Sequence, residues 1–236
     1  MKIAIIIPFY NEEQNLYYFL KEWNNFLKSL HKKKYELNFF FINDGSTDYS
    51  VEIIKKNSDK LKFKIINKKN SGHGDTCKYG YDLITNKNYS YDYLLQIDSD
   101  NQCNPKYLIN FLNIAEKKYE GFIFGYRKRR EDGYIRFLTS RILSLSIFCK
   151  KFQYIKDANT PYRLMKTSDL KRILNIISKN KNYKNIDLFN CILTYEIQKK
   201  YKIKWIDINF RKRAYGHSKF GSLKMLKLYS NLISII

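Results

Sequence analysis

The chain has 236 residues, 44% of them hydrophobic, and a formal charge of +22 from 44 Lys and Arg against 22 Asp and Glu. That length suits one domain with a sizeable core, and the hydrophobic content excludes a disordered polymer. The charge predicts an anionic partner (a phosphorylated substrate, an acidic membrane surface or nucleic acid), although a Lys-, Asn-, Ile- and Tyr-rich composition inflates it.

Lys2 to Ile7 is a β-branched run ending at Pro8 and predicts a buried strand. Asn11 can cap a helix from about Glu12, with Leu16, Phe19, Leu20, Trp23, Phe26 and Leu27 on one face. Leu37 to Ile42 predicts a second strand, ending in Asn43-Asp44-Gly45-Ser46-Thr47-Asp48, and a helix with Val51, Ile53 and Ile54 inside follows. Phe63 to Ile66 is a third strand, and Asn70-Ser71-Gly72-His73-Gly74 is a turn into a helix through about Leu83. Tyr93 to Ile97 is a fourth, and a helix with Leu108, Phe111, Leu112 and Ala115 inside follows Pro105. Strands alternating with helices at this spacing predict a parallel sheet, whose ligands bind beyond the carboxyl ends of the strands.

Beyond this point the pattern loosens. Gly121 to Gly125 reads as a strand, Arg127-Lys128-Arg129-Arg130 as a basic stretch after it, and Phe137 to Phe148 as an apolar segment with Arg136 and Arg141 before and within it. Asp157 to Arg163 is a turn, Asp187 opens a helix, Lys204 to Phe210 is a strand and Arg213 to Lys219 a loop. From Ser222 a helix places Lys224, Lys227, Asn231 and Ser234 on one face and apolar residues elsewhere. Cys77, Cys103, Cys149 and Cys191 have neither CxxC spacing nor nearby His, which argues against zinc or a disulfide framework and for a reducing cytosol. Pro8 breaks the short N-terminal apolar run, so no signal peptide is expected, and no apolar run reaches the ~18 residues of a membrane span.

Asp98-Ser99-Asp100-Asn101-Gln102 sits at the end of the fourth strand. Two carboxylates separated by one residue suit a hard divalent cation such as Mg²⁺, which takes few protein carboxylates and completes its shell with water and phosphate oxygens. Taken with Pro8-Phe9-Tyr10-Asn11-Glu12, Asn43 to Asp48 and Arg213-Ala214-Tyr215-Gly216-His217-Ser218-Lys219, the motif resembles those of the family 2 glycosyltransferases. More narrowly it resembles the branch of dolichol-phosphate mannose synthase and the polyprenyl-phosphate glycosyltransferases.

The resemblance implies a GT-A fold, a Rossmann-like, mostly parallel α/β sheet with flanking helices, over residues 1–220. Residues 1–103 would form the nucleotide-sugar half, 104–220 the acceptor half and 221–236 an amphipathic helix. It further implies a UDP- or GDP-sugar donor, a divalent metal (Mg²⁺ or Mn²⁺) and inversion at the anomeric carbon. Pro8, Tyr10, Glu12, Ile42, Asp44, Gly72 and Asp98 would bind the donor, with Asp44 accepting from the base. Asp98, Asp100 and Gln102 would hold the metal, whereas His73 is given no role. Arg127, Arg136, Ser140, Arg213, Ser218 and Lys219 match positions near a lipid phosphate; Asp100, Arg136, Arg213 and Lys219 form the catalytic set. Asp187 joins that set as the base if the acceptor is a glycan hydroxyl, since a hydroxyl must lose a proton and a phosphate is already an anion.

The expected partners are thus the nucleotide sugar, a polyprenyl phosphate or glycan, and an anionic membrane surface. Ten Lys or Arg against one acid in residues 199–227 support the last. A helix packed on the domain's own core is the competing reading of the C-terminal segment. The expected location is peripheral, on the cytoplasmic face. Nucleic acid is not expected, because charge without a binding motif gives only nonspecific affinity.

Overall fold

The structure, a computed structural model, describes residues 1–30, 34–58, 60–86, 89–117, 121–183, 188–216 and 222–236, the side chains of 222–226 excepted. Seven strands form one sheet: β1 (Lys2–Phe9), β2 (Glu36–Asn43), β3 (Lys62–Asn67), β4 (Tyr93–Ile97), β5 (Phe122–Arg130), β6 (Tyr162–Lys166) and β7 (Ile203–Phe210). The helices are α1 (Glu13–Ser29), α2 (Ser50–Asn57), α3 (His73–Asn86), α4 (Tyr107–Glu116), α5 (Tyr134–Lys151), α6 (Thr167–Lys179), α7 (Phe189–Lys200) and α8 (Ser222–Ile235).

The order across the sheet is β3-β2-β1-β4-β6-β5-β7. All pairs are parallel except those of β6, which runs antiparallel to both β4 and β5. Alternate strand residues feed two cores. Ile3, Ile5, Ile7, Phe39, Phe41, Leu95 and Ile97 pack with α1, α2 and α4. Ala4, Ile6, Phe40, Ile42 and Leu94 face α3, α5, α6, α7 and α8. Cover on both faces is why these strands read as continuous apolar runs. The chain leaves β1 toward β2 and β3, then returns to place β4 on the other side of β1. The carboxyl ends of β1 and β4 therefore form a switch point, where α/β sheets bind ligands.

The six residues expected inside α1 and the four expected inside α4 are all buried. Asn11 is a correction. It adopts φ 53 and does not cap α1. Instead its backbone N–H donates to Ser46 Oγ (3.0 Å), and its side chain bonds Thr47 twice, clipping the first loop to the second. Asn tolerates this left-handed conformation better than most residues. A second correction concerns the basic stretch, which belongs to β5 rather than following it. Strand β6 and helix α6 had no counterpart in the sequence reading. The signal for α6 was the spacing of Leu170, Ile173, Leu174 and Ile177, all buried. Helix α8 packs against α5, with Tyr229 and Leu232 buried in the core and Lys227, Ser230, Asn231 and Ser234 outward.

Candidate active site

A cavity of about 400 Å³ opens at the switch point. Pro8, Tyr10, Glu12, Asp44, Gly72, Asp98, Asp100 and Gln102 line it from the strand ends of the first half. Arg127, Arg136, Ser140 and Arg213 line it from the second half. Ile42 is a correction: strand alternation turns its side chain into the core below the sheet, against α3, and it is absent from the cavity wall. Asp187, Ser218 and Lys219 lie outside the described residues.

Asp44 is buried and its carboxylate is already engaged. Oδ1 accepts from Lys68 Nζ (2.7 Å) and the Ser71 N–H (2.9 Å), and Oδ2 from the Gly72 N–H (3.0 Å). Gly72 has φ 93, a value that suits glycine. The residue that resemblance assigns to the base therefore also builds the loop beneath it. Burial opposes the Asp44 charge, but Lys68 and the Ser71 amide outweigh it and hold its pKa below the ordinary carboxylate value. A depressed folded-state pKa contributes stability above the unfolded value of about 3.9 and loses it as the pH falls. Asp44→Asn should thus cost roughly 1–3 kcal/mol near neutral pH, and the difference from wild type should shrink toward about pH 3. Thermal melts across that range read it directly.

Asn101 adopts φ 58, and the turn lets the Gln102 N–H donate to Asp100 Oδ1 (3.2 Å). Asp100 Oδ2 accepts from Arg213 Nη2 (3.0 Å), while Arg213 Nη1 reaches Glu12 Oε1 (3.2 Å). Burial and the neighbouring Asp98 carboxylate raise Asp100 to about 6, with Arg213 pulling the other way. A divalent cation fits this pair, because two crowded carboxylates gain most from a positive charge between them. No group of three or more His, Cys, Asp or Glu forms a metal cage among the described residues. Asp98 and Asp100 could hold a cation whose remaining positions go to phosphate oxygens and water. Gln102 is partly occupied: its Nε2 donates to the Arg211 carbonyl at 2.6 Å.

The loop carrying Arg213 is strapped to α1. Arg211 pairs with both Glu22 oxygens (2.7 and 2.9 Å), Tyr215 exchanges hydrogen bonds with Asn15, and its ring stacks on Tyr18. Lys199, Arg211 and Arg213, which belong to the ten cations expected to form a membrane patch, are ion-paired within the protein.

A polar ring lies beneath Asp98. Gln96 Nε2 donates to Asp98 Oδ1 (2.8 Å), and Gln96 Oε1 accepts from Arg163 Nη1 (2.7 Å). Gln96 and Arg163 are register partners in the β4–β6 pair, and Arg163 is fully buried. On the other side His73 Nε2 stands 3.6 Å from Asp98 Oδ1 and 3.5 Å from Cys77 Sγ. The His73 side chain is 43% exposed; loss of part of its hydration opposes an imidazolium, but Cys77 and Asp98 raise its pKa to about 10. His73, given no role from sequence, thus borders the Asp98 carboxylate.

On the opposite wall Arg127 is held by Asp157 through two bonds, Nε–Oδ2 at 2.8 Å and Nη2–Oδ1 at 2.7 Å. Arg130 grips Asp132 with two nitrogens (2.9 and 2.6 Å) and donates to Ser140 Oγ at 3.0 Å. Sequence reasoning missed Arg130. A register shift between Arg127 and Arg129 places a bulge in β5, so Arg127 and Arg130 both reach the cavity while Lys128 and Arg129 stay exposed. Arg136 also lines the wall; burial lowers its pKa, Asp132 opposes that, and Arg213, Arg130 and Arg127 add to it. Thr139, Asn190 and Tyr229 were missed as well, and the signal for the first two was a polar residue among apolar neighbours on a helix.

This sheet, with carboxylates at one wall of the switch-point cavity and arginines at the other, has the GT-A fold of glycosyltransferases. The sequence profile of glycosyl transferase family 2 matches residues 4–186, and the chain belongs to that family. It is similar to the undecaprenyl-phosphate 4-deoxy-4-formamido-L-arabinose transferase of Edwardsiella ictaluri, 23% identical over 99% of this chain and 67% of that protein. Among solved structures it resembles S. aureus TarS 1–349 in complex with UDP-GlcNAc (TM-score 0.61, 18% identity, 100% of this chain and 66% of that one). It also resembles the Mycobacterium tuberculosis glucosyl-3-phosphoglycerate synthase with Mn²⁺, UDP and glucosyl-3-phosphoglycerate (TM-score 0.65, 12% identity, 99% of this chain and 79% of that one). The chain thus spans about two thirds of the length of the first two.

Proposed function

We propose that this protein transfers a sugar from a UDP- or GDP-sugar to a polyprenyl phosphate, with inversion at the anomeric carbon. The observation that carries this reading is the state of the cavity's acids. Glu12 and Asp100 face Arg213, Asp44 faces Lys68, Asp132 faces Arg130, and Asp98 faces the Gln96 amide and His73. Each is committed, so among the described cavity residues no carboxylate stands open as a general base. A phosphate acceptor needs none, and Arg127, Arg130 and Arg136 supply the positive field that receives it.

An acceptor phosphate oxygen forms the new bond to the anomeric carbon. The bond from that carbon to the donor's β-phosphate breaks, and the nucleoside diphosphate leaves with the electron pair. Pro8, Tyr10, Glu12 and Asp44 would seat the nucleoside, and Asp98 and Asp100 would face its diphosphate. Mg²⁺ or Mn²⁺ bound there would neutralise charge on the leaving group. Arg213 can exchange its carboxylate partners for phosphate oxygens when ligands arrive. The expected setting is the cytoplasmic membrane surface; among the described residues no helix is long and apolar enough to cross a membrane.

Incubation with Mn²⁺, labelled UDP- and GDP-sugars and undecaprenyl or dolichyl phosphate should yield lipid-linked label. Arg136→Ala should reduce that yield by roughly 100-fold or more, as expected for a lost charge-assisted phosphate contact. Label appearing in a soluble glycan instead, or no turnover by folded protein across a broad donor panel, would overturn the reading.

A further inference from the structure

Strand β4 is apolar except at one position. Tyr93, Leu94, Leu95 and Ile97 are buried hydrophobic residues, and Gln96 among them is fully buried. Alternation turns its side chain to the same face as Leu94, toward α3. Opposite it on β6 stands Arg163, also fully buried, between Tyr162 and Leu164. A guanidinium inside a sheet core is costly unless a carboxylate pairs with it. Among the described residues none does. Arg163 donates to Gln96 Oε1 (2.7 Å) and to the Ala158 carbonyl (3.4 Å), lies 5.6 Å from the centre of the Phe124 ring, and leaves Nε without a partner. An apolar pair would suit this position in a sheet covered on both faces, so packing does not account for Gln96 and Arg163.

What the pair does follows from its donors and acceptors. Arginine has N–H groups and no acceptor, so the Gln96 amide must turn its oxygen to Arg163. The Tyr81 hydroxyl, 3.5 Å from the same oxygen, adds a second donor on that side. The amide nitrogen is thereby fixed on the other side, where Nε2 donates to Asp98 Oδ1 at 2.8 Å. A flipped amide would set its oxygen against the carboxylate and repel it. On its other flank Asp98 Oδ1 has His73 Nε2 at 3.6 Å. Oδ1 is thus held, and among the described residues no hydrogen bond reaches Oδ2. The Asp98 side chain remains 26% exposed and lines the cavity.

We infer that Gln96 and Arg163 are positioning residues for a divalent cation at Asp98: Gln96 holds the carboxylate by Oδ1, Arg163 fixes the end of the amide that does so, and Oδ2 is left for the cation. Arg163 borders the cavity but is fully buried, so it acts through Gln96 rather than on a substrate. Hydrogen bonds to a metal-binding carboxylate set its orientation, and losing one commonly costs about 10–100-fold in metal affinity. Their role rests on the reading above of Asp98 and Asp100 as carboxylates that face a cation and a diphosphate.

UDP and GDP are titrated calorimetrically into the full chain with Mn²⁺ and with EDTA, and the ratio of the two dissociation constants measures how strongly cation and nucleotide are coupled. Wild type should bind one of the nucleotides more tightly with Mn²⁺. Gln96→Leu/Arg163→Met removes both polar partners together, so no charge is stranded and the melting temperature should stay near wild type or rise. In that variant the ratio should fall by about tenfold or more, with the affinity in EDTA unchanged. A role in the fold alone would leave the ratio intact or weaken both affinities together. Arg163→Lys, also a donor without an acceptor, keeps the amide nitrogen on Asp98 and should keep the ratio within about threefold of wild type. A wild-type ratio in the double variant, or a ratio in Arg163→Lys as low as the double variant's, would overturn the inference alone. No effect of Mn²⁺ on wild type would overturn the cation reading of Asp98 and Asp100, and the inference with it.

Discussion

Asp100→Ala should lower sugar transfer by about 10²–10³-fold while leaving the fold intact. Asp100 sits where the β4 loop, the Arg213 loop and Asp98 converge, and it is buried. Its raised pKa, about 6, means that the folded state holds its ionised form at a cost above that pH. Removing the side chain relieves that cost, and Arg213 keeps Glu12 as a partner. The melting temperature should therefore stay near wild type, while the stabilisation given by Mn²⁺ together with UDP or GDP should vanish. Initial rates and thermal melts on one preparation separate loss of the anchoring carboxylate from loss of the fold. Activity within about tenfold of wild type would remove Asp100 from the diphosphate site.

What the sequence revealed of this site follows from how local each feature is. Asp98-Ser99-Asp100 was legible because a buried strand ending in two carboxylates is a contiguous pattern, and Leu16 to Leu27 because one face of α1 meets one core. The arginine wall was not. Arg127 and Arg130 share a face only through a β-bulge, which no spacing rule anticipates. The Gln96–Arg163 contact joins cross-strand partners on β4 and the antiparallel β6, 67 residues apart, and Tyr81 and Asn190 meet 109 residues apart. Asp44 was legible as a strand-end acid, but its bonds to Lys68, Ser71 and Gly72 depend on how the next loop folds back. The apolar residues of α5 were visible as a run, yet only the structure shows that its larger members face outward.

Asp157→Ala should cost about 3–5 kcal/mol, the range for removing one partner of a buried ion pair, and lower the melting temperature by roughly 10 °C. Arg127 and Asp157 are both buried, joined by two parallel bonds, and the Arg127 guanidinium also lies 5.2 Å from the centre of the Phe210 ring. Burial opposes both charges; each partner restores the other, raising the pKa of Arg127 and lowering that of Asp157. Alanine at 157 leaves the guanidinium buried beside Arg130 without its counter-charge, which is the costly half of the change. Replacing both, as Arg127→Met/Asp157→Leu, removes the charge and its counter-charge together and should recover most of the lost stability. The double variant then isolates what the Arg127 charge does at the cavity wall. If it helps seat an acceptor phosphate, the refolded variant should show a KM for lipid phosphate raised by about tenfold or more, with donor binding unchanged. Wild-type kinetics in the double variant would make this pair a brace for β5 alone and leave acceptor binding to Arg130, Arg136 and Arg213.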